Sequence, residues 1–168
     1  MTTLTARALD RDAYAGYGDV LAAGPGSGKP ANQGTSQKFE HLTRLENRRG
    51  AAASLHASVF RASPRAAEDF DIALLERHRH SAQAFIPMNA TRFLVIVAHG
   101  AEAPEPDTAR AFVVPGHAGI TYHPGVWHHP IVALDGETDF VCLVWEDGTD
   151  DDCDEHPFSE ARWKVTFD

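Results

Sequence analysis

The sequence has no apolar run long enough to cross a bilayer. A spanning helix needs about twenty apolar residues, and the longest run here, 93–98 (FLVIVA), is strand-sized. Cysteine is scarce. Cys142 and Cys153 alone cannot build a disulfide framework, so reduced thiols in a cytoplasmic protein are the simpler expectation. The opening stretch MTTLTARALDRD lacks the apolar core of a signal peptide, which argues against export. Positive charge is outweighed, with 15 Lys and Arg against 24 Asp and Glu, and the net charge of −9 argues against nucleic-acid binding. There is no internal repeat. What remains is a chain of 168 residues, 43% hydrophobic, long enough for one globular domain over 1–168 and too short for two comfortable ones. The unusual abundance is histidine, ten in all.

Asp10 suits the cap of a short helix running through Tyr14 and Tyr17, with Gly18 as its stop, and Val20-Leu21 reads as a brief extended piece. Residues 24–37 (GPGSGKPANQGTSQ) read as a long loop, functional or mobile. From 51–61 onward the pattern is β. Stretches 70–80, 83–88, 93–98, 110–114, 120–123, 131–134 and 138–145 are short and apolar or alternating, with turn residues between them. Asp135-Gly136 is a hairpin signal. Short strands at such spacing predict an all-β sandwich or barrel with one or two short helices near the N-terminus. The tail 146–156 (EDGTDDDCDEH) reads as a solvated acidic stretch and matches no calcium loop.

Two segments carry chemistry. In the first, Glu76-Arg77-His78-Arg79-His80, strand alternation puts Glu76, His78 and His80 on one face, which in a small barrel can be the interior. The competing arrangement turns Arg77 and Arg79 inward, where two guanidinium groups are hard to satisfy. The second is His123-Pro124-Gly125-Val126-Trp127-His128-His129. Pro-Gly makes a tight turn, and alternation lets only one of His128 and His129 reach the interior easily.

These segments resemble the two motifs of the cupin superfamily, a small β-barrel of jelly-roll type. His78, His80 and Gln83 match the first motif, with Gln83 standing where glutamate is usual; His123, Gly125 and His128 match the second, with His123 standing where proline is expected. A closer resemblance covers residues 14–156. Tyr17-Gly18-Asp19-Val20, Asn32-Gln33-Gly34-Thr35, Glu76-Arg77-His78, the QAFIPM of 83–88, the YHPGVWHHP of 122–130, Thr138-Asp139-Phe140 and Cys153-Asp154 look like ureidoglycolate lyase, in that family's order.

The resemblance implies a cytoplasmic homodimer that splits (S)-ureidoglycolate into glyoxylate and urea in allantoin and purine catabolism. It also names nickel as a cofactor, for which His78, His128 and His123 are the candidate ligands; a neutral Gln83 weakens that donor set. His128, Glu76 and His78 are the candidates for acid–base chemistry. Lys38 and Arg61 are expected to hold the substrate carboxylate and Gln83 the ureido group, with Tyr122 and Trp127 completing the substrate-binding set. Lys38 would arrive on a glycine-rich loop closing the barrel mouth. Cys142 reads as a buried small hydrophobe. Two alternatives stay open: an amidohydrolase releasing ammonia and carbon dioxide from the same substrate, and a non-catalytic cupin that binds a small acid.

Overall fold

The computed structural model describes residues 2–24, 26–66, 70–158 and 163–167. One short helix, α1 (Arg11–Tyr14), accompanies sixteen strands among these residues: β1 (Thr2–Ala8), β2 (Val20–Leu21), β3 (Lys29–Ala31), β4 (Ser36–Lys38), β5 (Ser54–Ala62), β6 (Phe70–Ile72), β7 (Leu74–His78) and β8 (Gln83–Pro87) come first. Then follow β9 (Arg92–Ala98), β10 (Arg110–Pro115), β11 (Gly119–Tyr122), β12 (Trp127–His128), β13 (Val132–Ala133), β14 (Thr138–Glu146), β15 (Cys153–Pro157) and β16 (Trp163–Phe167). The all-β architecture predicted from the alternation and the cupin-type fold implied by the resemblance are both found. No described helix is long and apolar enough to cross a membrane.

A nine-stranded sheet runs in the order β15-β7-β12-β9-β10-β1-β16-β6, with β13 also on β9. A five-stranded sheet runs β2-β11-β8-β14-β5, and β3 pairs β4 separately. Strand β9 shows why the large sheet holds together. Phe93, Val95 and Val97 point toward the five-stranded sheet and pack with Phe85, Ile120, Tyr122 and Phe140. Leu94, Ile96 and Ala98 point the other way, into a second cluster with Ile72, Leu75, Trp127 and Val165, which the large sheet makes by curling on itself. A strand buried on both faces has no polar side to alternate with, hence its unbroken apolar run. Each large side chain so buried contributes about 1.5–3 kcal/mol.

Asp10 caps α1 by accepting from the Ala13 N–H at 2.9 Å. The turn that follows is pinned to β11: the Tyr14 hydroxyl donates to the Thr121 carbonyl at 2.8 Å, and Asp19 N–H donates to Thr121 Oγ1 at 2.9 Å. A Cβ on Gly18 would lie 1.7 Å from that same carbonyl, so only glycine fits.

Four expectations need correction. The stretch 24–37 is not one loop: it contains the β3–β4 hairpin and a short 3-10 turn at Asn32–Gly34, with Pro25 outside the described residues. Asp135-Gly136 is no hairpin turn, because β13 belongs to the large sheet and β14 to the small one, so the turn carries the chain across the barrel. The acidic tail is only partly solvated. Its second half is β15, paired along β7, and its Asp152 is buried. Finally β7 ends at His78, so His80 is exposed and does not share the interior with Glu76 and His78.

Candidate active site

Strand alternation divides β7 between two environments. Leu75 and Arg77 face the second core cluster; Glu76 and His78 face a cavity of about 400 Å³ between the sheets. Strand β12 repeats the division: His128 sits directly across from Glu76 on the same face, and Trp127 faces the other way. The turn that delivers β12 is tied to the site. Gly125, at φ +86, takes the left-handed conformation, and its N–H donates to the His78 carbonyl at 2.7 Å. From the opposite sheet β8 contributes Gln83 and Phe85, β14 contributes Cys142 and Val144, and β5 contributes Ser58, Phe60 and Arg61.

His128 is almost fully buried. Its Nδ1 lies 2.9 Å from the Val126 carbonyl, which can only accept, so Nδ1 carries a proton. Nε2 is left without a hydrogen-bond partner, facing Glu76 Oε1 across 3.6 Å. That gap is longer than a hydrogen bond and is open to a proton or to a donor group between the two. Tyr122 stacks on the His128 ring, centroids 4.0 Å apart and planes within 10°. Burial raises its phenol, helped by the nearby Glu76 charge, and its hydroxyl has no partner. Gln83 Oε1 is likewise buried and unpaired. Burial pushes the adjacent Cys142 thiol up to about 12, with the Gln83 amide pulling the other way.

The two groups on the cavity wall titrate below their usual values. For Glu76 burial acts upward, yet the His128, His78 and His129 rings together outweigh it, so the carboxylate is held ionised. His78 is lowered chiefly by burial and then by His128 and Arg49, against the upward pull of Asp152 and Glu76. It is the neutral imidazole that faces the cavity near neutral pH.

The structure thus brings together Glu76, His78, His128, Gln83, Tyr122 and Arg61, with Tyr122 and His128 one layer behind the lining. Arg61 is the one Lys or Arg among the described lining residues. It stands at the exposed rim, its fork on Asp139 at 2.8 and 2.9 Å.

Three expected residues are elsewhere. Lys38 pairs with Glu40 at 3.1 Å and lines a separate cavity beside the β3–β4 hairpin, because that hairpin keeps it from the mouth. Trp127 points to the opposite face of β12, where its Nε1–H donates to the Gly100 carbonyl at 3.0 Å. His123 faces Asp19 across 3.5 Å in another pocket with Arg44 and Glu46, since it ends the β11 side of the turn rather than starting β12.

The nickel ligand set does not assemble. His78 and His128 rings stack with centroids 5.9 Å apart, and His123 lines the other pocket. Among the described residues no group of three or more His, Cys, Asp or Glu is arranged to hold a metal ion. The three histidines therefore do not form one shared ligand set in this structure.

Sequence reading missed Ser58, Phe60 and Cys142 as lining, and it missed Asp152 behind His78. A signal for the tail was available. Arg77 and Arg79 need carboxylates, and the acid-rich stretch near 150 is where carboxylates are plentiful; Asp154 pairs with both.

Comparison with known proteins points to one family. The family model for ureidoglycolate lyase matches residues 1–166. The ureidoglycolate lyase of Burkholderia cepacia is 42% identical over 161 residues, covering 95% of this chain and 88% of the relative. That of Pseudomonas syringae pv. tomato is 38% identical, covering 96% and 94%. Among solved structures, a dTDP sugar isomerase from Desulfovibrio desulfuricans G20 superposes with a TM-score of 0.50 at 13% identity, covering 83% of each chain, a likeness of fold alone. A family model that matches nearly the whole chain, with relatives 42% and 38% identical over 95% and 96% of it, shows that this chain belongs to the ureidoglycolate lyase family.

Proposed function

We propose that this protein splits ureidoglycolate into glyoxylate and urea by acid–base elimination within the β-barrel. One observation carries the reading. Gln83 Oε1, His128 Nε2 and Tyr122 Oη, buried yet without partners, gather beside Glu76 and a neutral His78 at one small cavity. Buried polar atoms are normally satisfied, so a cluster of open ones marks a place prepared for a polar guest.

In ureidoglycolate one carbon bears a hydroxyl, a carboxylate and the ureido nitrogen. His78 takes the hydroxyl proton as the oxygen forms its double bond to carbon. The carbon–nitrogen bond breaks, its electron pair stays on nitrogen, and the same proton passes from His78 to that nitrogen. One proton moves from oxygen to nitrogen and nothing is consumed. Glu76, held ionised, stabilises the imidazolium formed on the way, and His128 braces Glu76 from behind. Gln83 Oε1 accepts from the ureido NH2. Arg61 attracts the carboxylate at the rim, sharing its guanidinium with Asp139. Allantoin breakdown is the route in which such a reaction belongs.

A homodimer is part of the same proposal. Strand β5 is the outer strand of its sheet, with one edge unpaired among the described residues, and its exposed Leu55 and Val59 share a face with Ile86 of β8, which lies beyond the intervening β14. An antiparallel edge pairs with a copy of itself across a two-fold axis, which favours a second copy as the occupant. Sedimentation should give twice the chain mass, and a monomer would reject the pairing. Two free thiols suit the reducing cytoplasm.

The deciding experiment measures urea, glyoxylate and ammonia from ureidoglycolate, before and after chelation. Equal urea and glyoxylate, unchanged by chelator, is the expected result. Ammonia in place of urea would make the protein an amidohydrolase, and tight binding without turnover would make it a binding module. Loss of turnover on chelation would return the histidines to metal ligation.

A further inference from the structure

Asp152 holds a buried polar atom without a partner, and it lies outside both histidine motifs. It sits in the acid-rich stretch and is buried because the following residues form β15 along β7. Its backbone and one oxygen are fixed: Arg79 N–H donates to the Asp152 carbonyl at 3.1 Å, and His80 N–H donates to Oδ1 at 2.7 Å. The second oxygen, Oδ2, stands 4.0 Å from His78 Nδ1 with no hydrogen-bond partner. A buried carboxylate oxygen left open is costly. Arg49, the cation near enough to act on His78, is committed to Asp147 and Thr149.

We propose that Asp152 is a positioning residue, whose Oδ2 holds the His78 proton on Nδ1 and so keeps Nε2 as the basic nitrogen of the ring that lines the cavity. This deepens the lyase reading above and rests on it. A neutral imidazole has one ring proton, and a carboxylate beside Nδ1 can only accept it. Among the described residues, the charged and titratable groups around the ring are Glu76 and His128 on the cavity side, Asp152 from the tail, Arg49 from the segment before β5, and the Cys153 thiol of β15, directly across the strand pair from His78. Glu76 alone would reward a proton on the cavity-facing side, which would spoil the base; Asp152 supplies the opposing pull. The 4.0 Å gap is longer than a hydrogen bond, and such contacts commonly tighten only when substrate is bound. Asp152 does not line the cavity, so its effect passes through His78.

The test uses full-length protein labelled with nitrogen-15 in histidine, observed at a pH where imidazole is neutral. The His78 signals are identified by their loss in His78→Gln. Wild type should show His78 protonated at Nδ1, and Asp152→Asn should move the proton to Nε2 in part or whole. In the urea assay Asp152→Asn should lower kcat roughly tenfold to a hundredfold, part of the 10²–10⁴ that a placed proton-transfer group contributes, with KM little changed. In the His78→Gln background the same substitution should cost nothing further.

An Nε2-protonated His78 in wild type overturns the proposal without any variant, and so does a tautomer indifferent to Asp152→Asn. An undiminished loss in the double variant would equally show that Asp152 does not act through His78. Absence of urea from wild type would sink the lyase reading, while the tautomer would still judge Asp152.

Discussion

The two faces of β7 are separated by a single residue step and handle buried charge in opposite ways. Arg77 is tied into the scaffold. Its Nε donates to Asp154 at 2.8 Å, its Nη1 donates to the Gly100 and Ala101 carbonyls, and its guanidinium lies 4.3 Å over the Trp127 ring. On the other face Glu76 and His78 look into a cavity with Gln83 Oε1 unpaired on its wall and His128 Nε2 and Tyr122 Oη unpaired just behind it. The difference is in satisfaction, not in burial. A charge paired and hydrogen-bonded within the core is part of the scaffold, and a polar group left open is held for something that arrives. Trp127 and His128 repeat the lesson on β12, one bonded into the core and one with an open nitrogen.

That contrast breaks most sharply under paired substitution. Glu76→Gln should lower kcat about a hundredfold, the scale of losing a charge placed against the transition state, while the melting temperature stays within a few degrees. Arg77→Ala should do the reverse, costing about 3 kcal/mol of stability by stranding Asp154 and baring the Trp127 face. That figure is the lower end for a buried pair, because Asp154 is partly exposed and keeps Arg79. Thermal melting and turnover on the same preparations decide the matter. A Glu76→Gln protein that unfolds early, or an Arg77→Ala protein that melts like wild type, would erase the distinction between the faces.

Acid should weaken both faces in sequence. His78 and His129 have folded values below that of a free imidazole, mainly through burial. The unfolded chain therefore takes up their protons first, and stability present above about pH 6.5 is lost as pH falls toward the folded values. Turnover falls over the same range as His78 gains its proton. Asp154 lies below the usual carboxylate value because Arg77 and Arg79 outweigh the opposing effect of burial, so its contribution persists until more acidic pH. A melting temperature that is flat between pH 7 and 5 would contradict the burial of the histidines.

Much of this was legible in the sequence because period-2 alternation is a strong signal where one face is buried. It paired Glu76 with His78 and separated His128 from His129. The unbroken run of β9 also announced itself. The missed features have common causes. Strands β1, β15 and β16 pair only with partners far away in the sequence, and nothing local marks Asp152 as buried, since its burial follows from β15 docking on β7. Asp135-Gly136 carries the residues of a hairpin, yet tertiary pairing sends its two flanks to different sheets. Histidine motifs fix residue spacing but not the side of a turn, which is why His123 was grouped with His128.

The smallest expected effect tests that grouping. His123 and Lys38 each sit in a pocket of their own, paired with Asp19 and Glu40 at the surface. Surface pairs of this kind contribute about 0–1 kcal/mol, and neither side chain lines the cavity that Glu76 and His78 share. His123→Ala and Lys38→Ala should therefore change turnover by less than about twofold and stability by less than about 1 kcal/mol. The His123 variant is the sharper of the two. Its neighbour Gly125 holds the turn to the His78 carbonyl through the backbone, so the turn survives loss of the ring. If His123→Ala abolished turnover in a folded protein, two pockets would be acting as one site, and the division drawn along β7 would have to be extended across the turn.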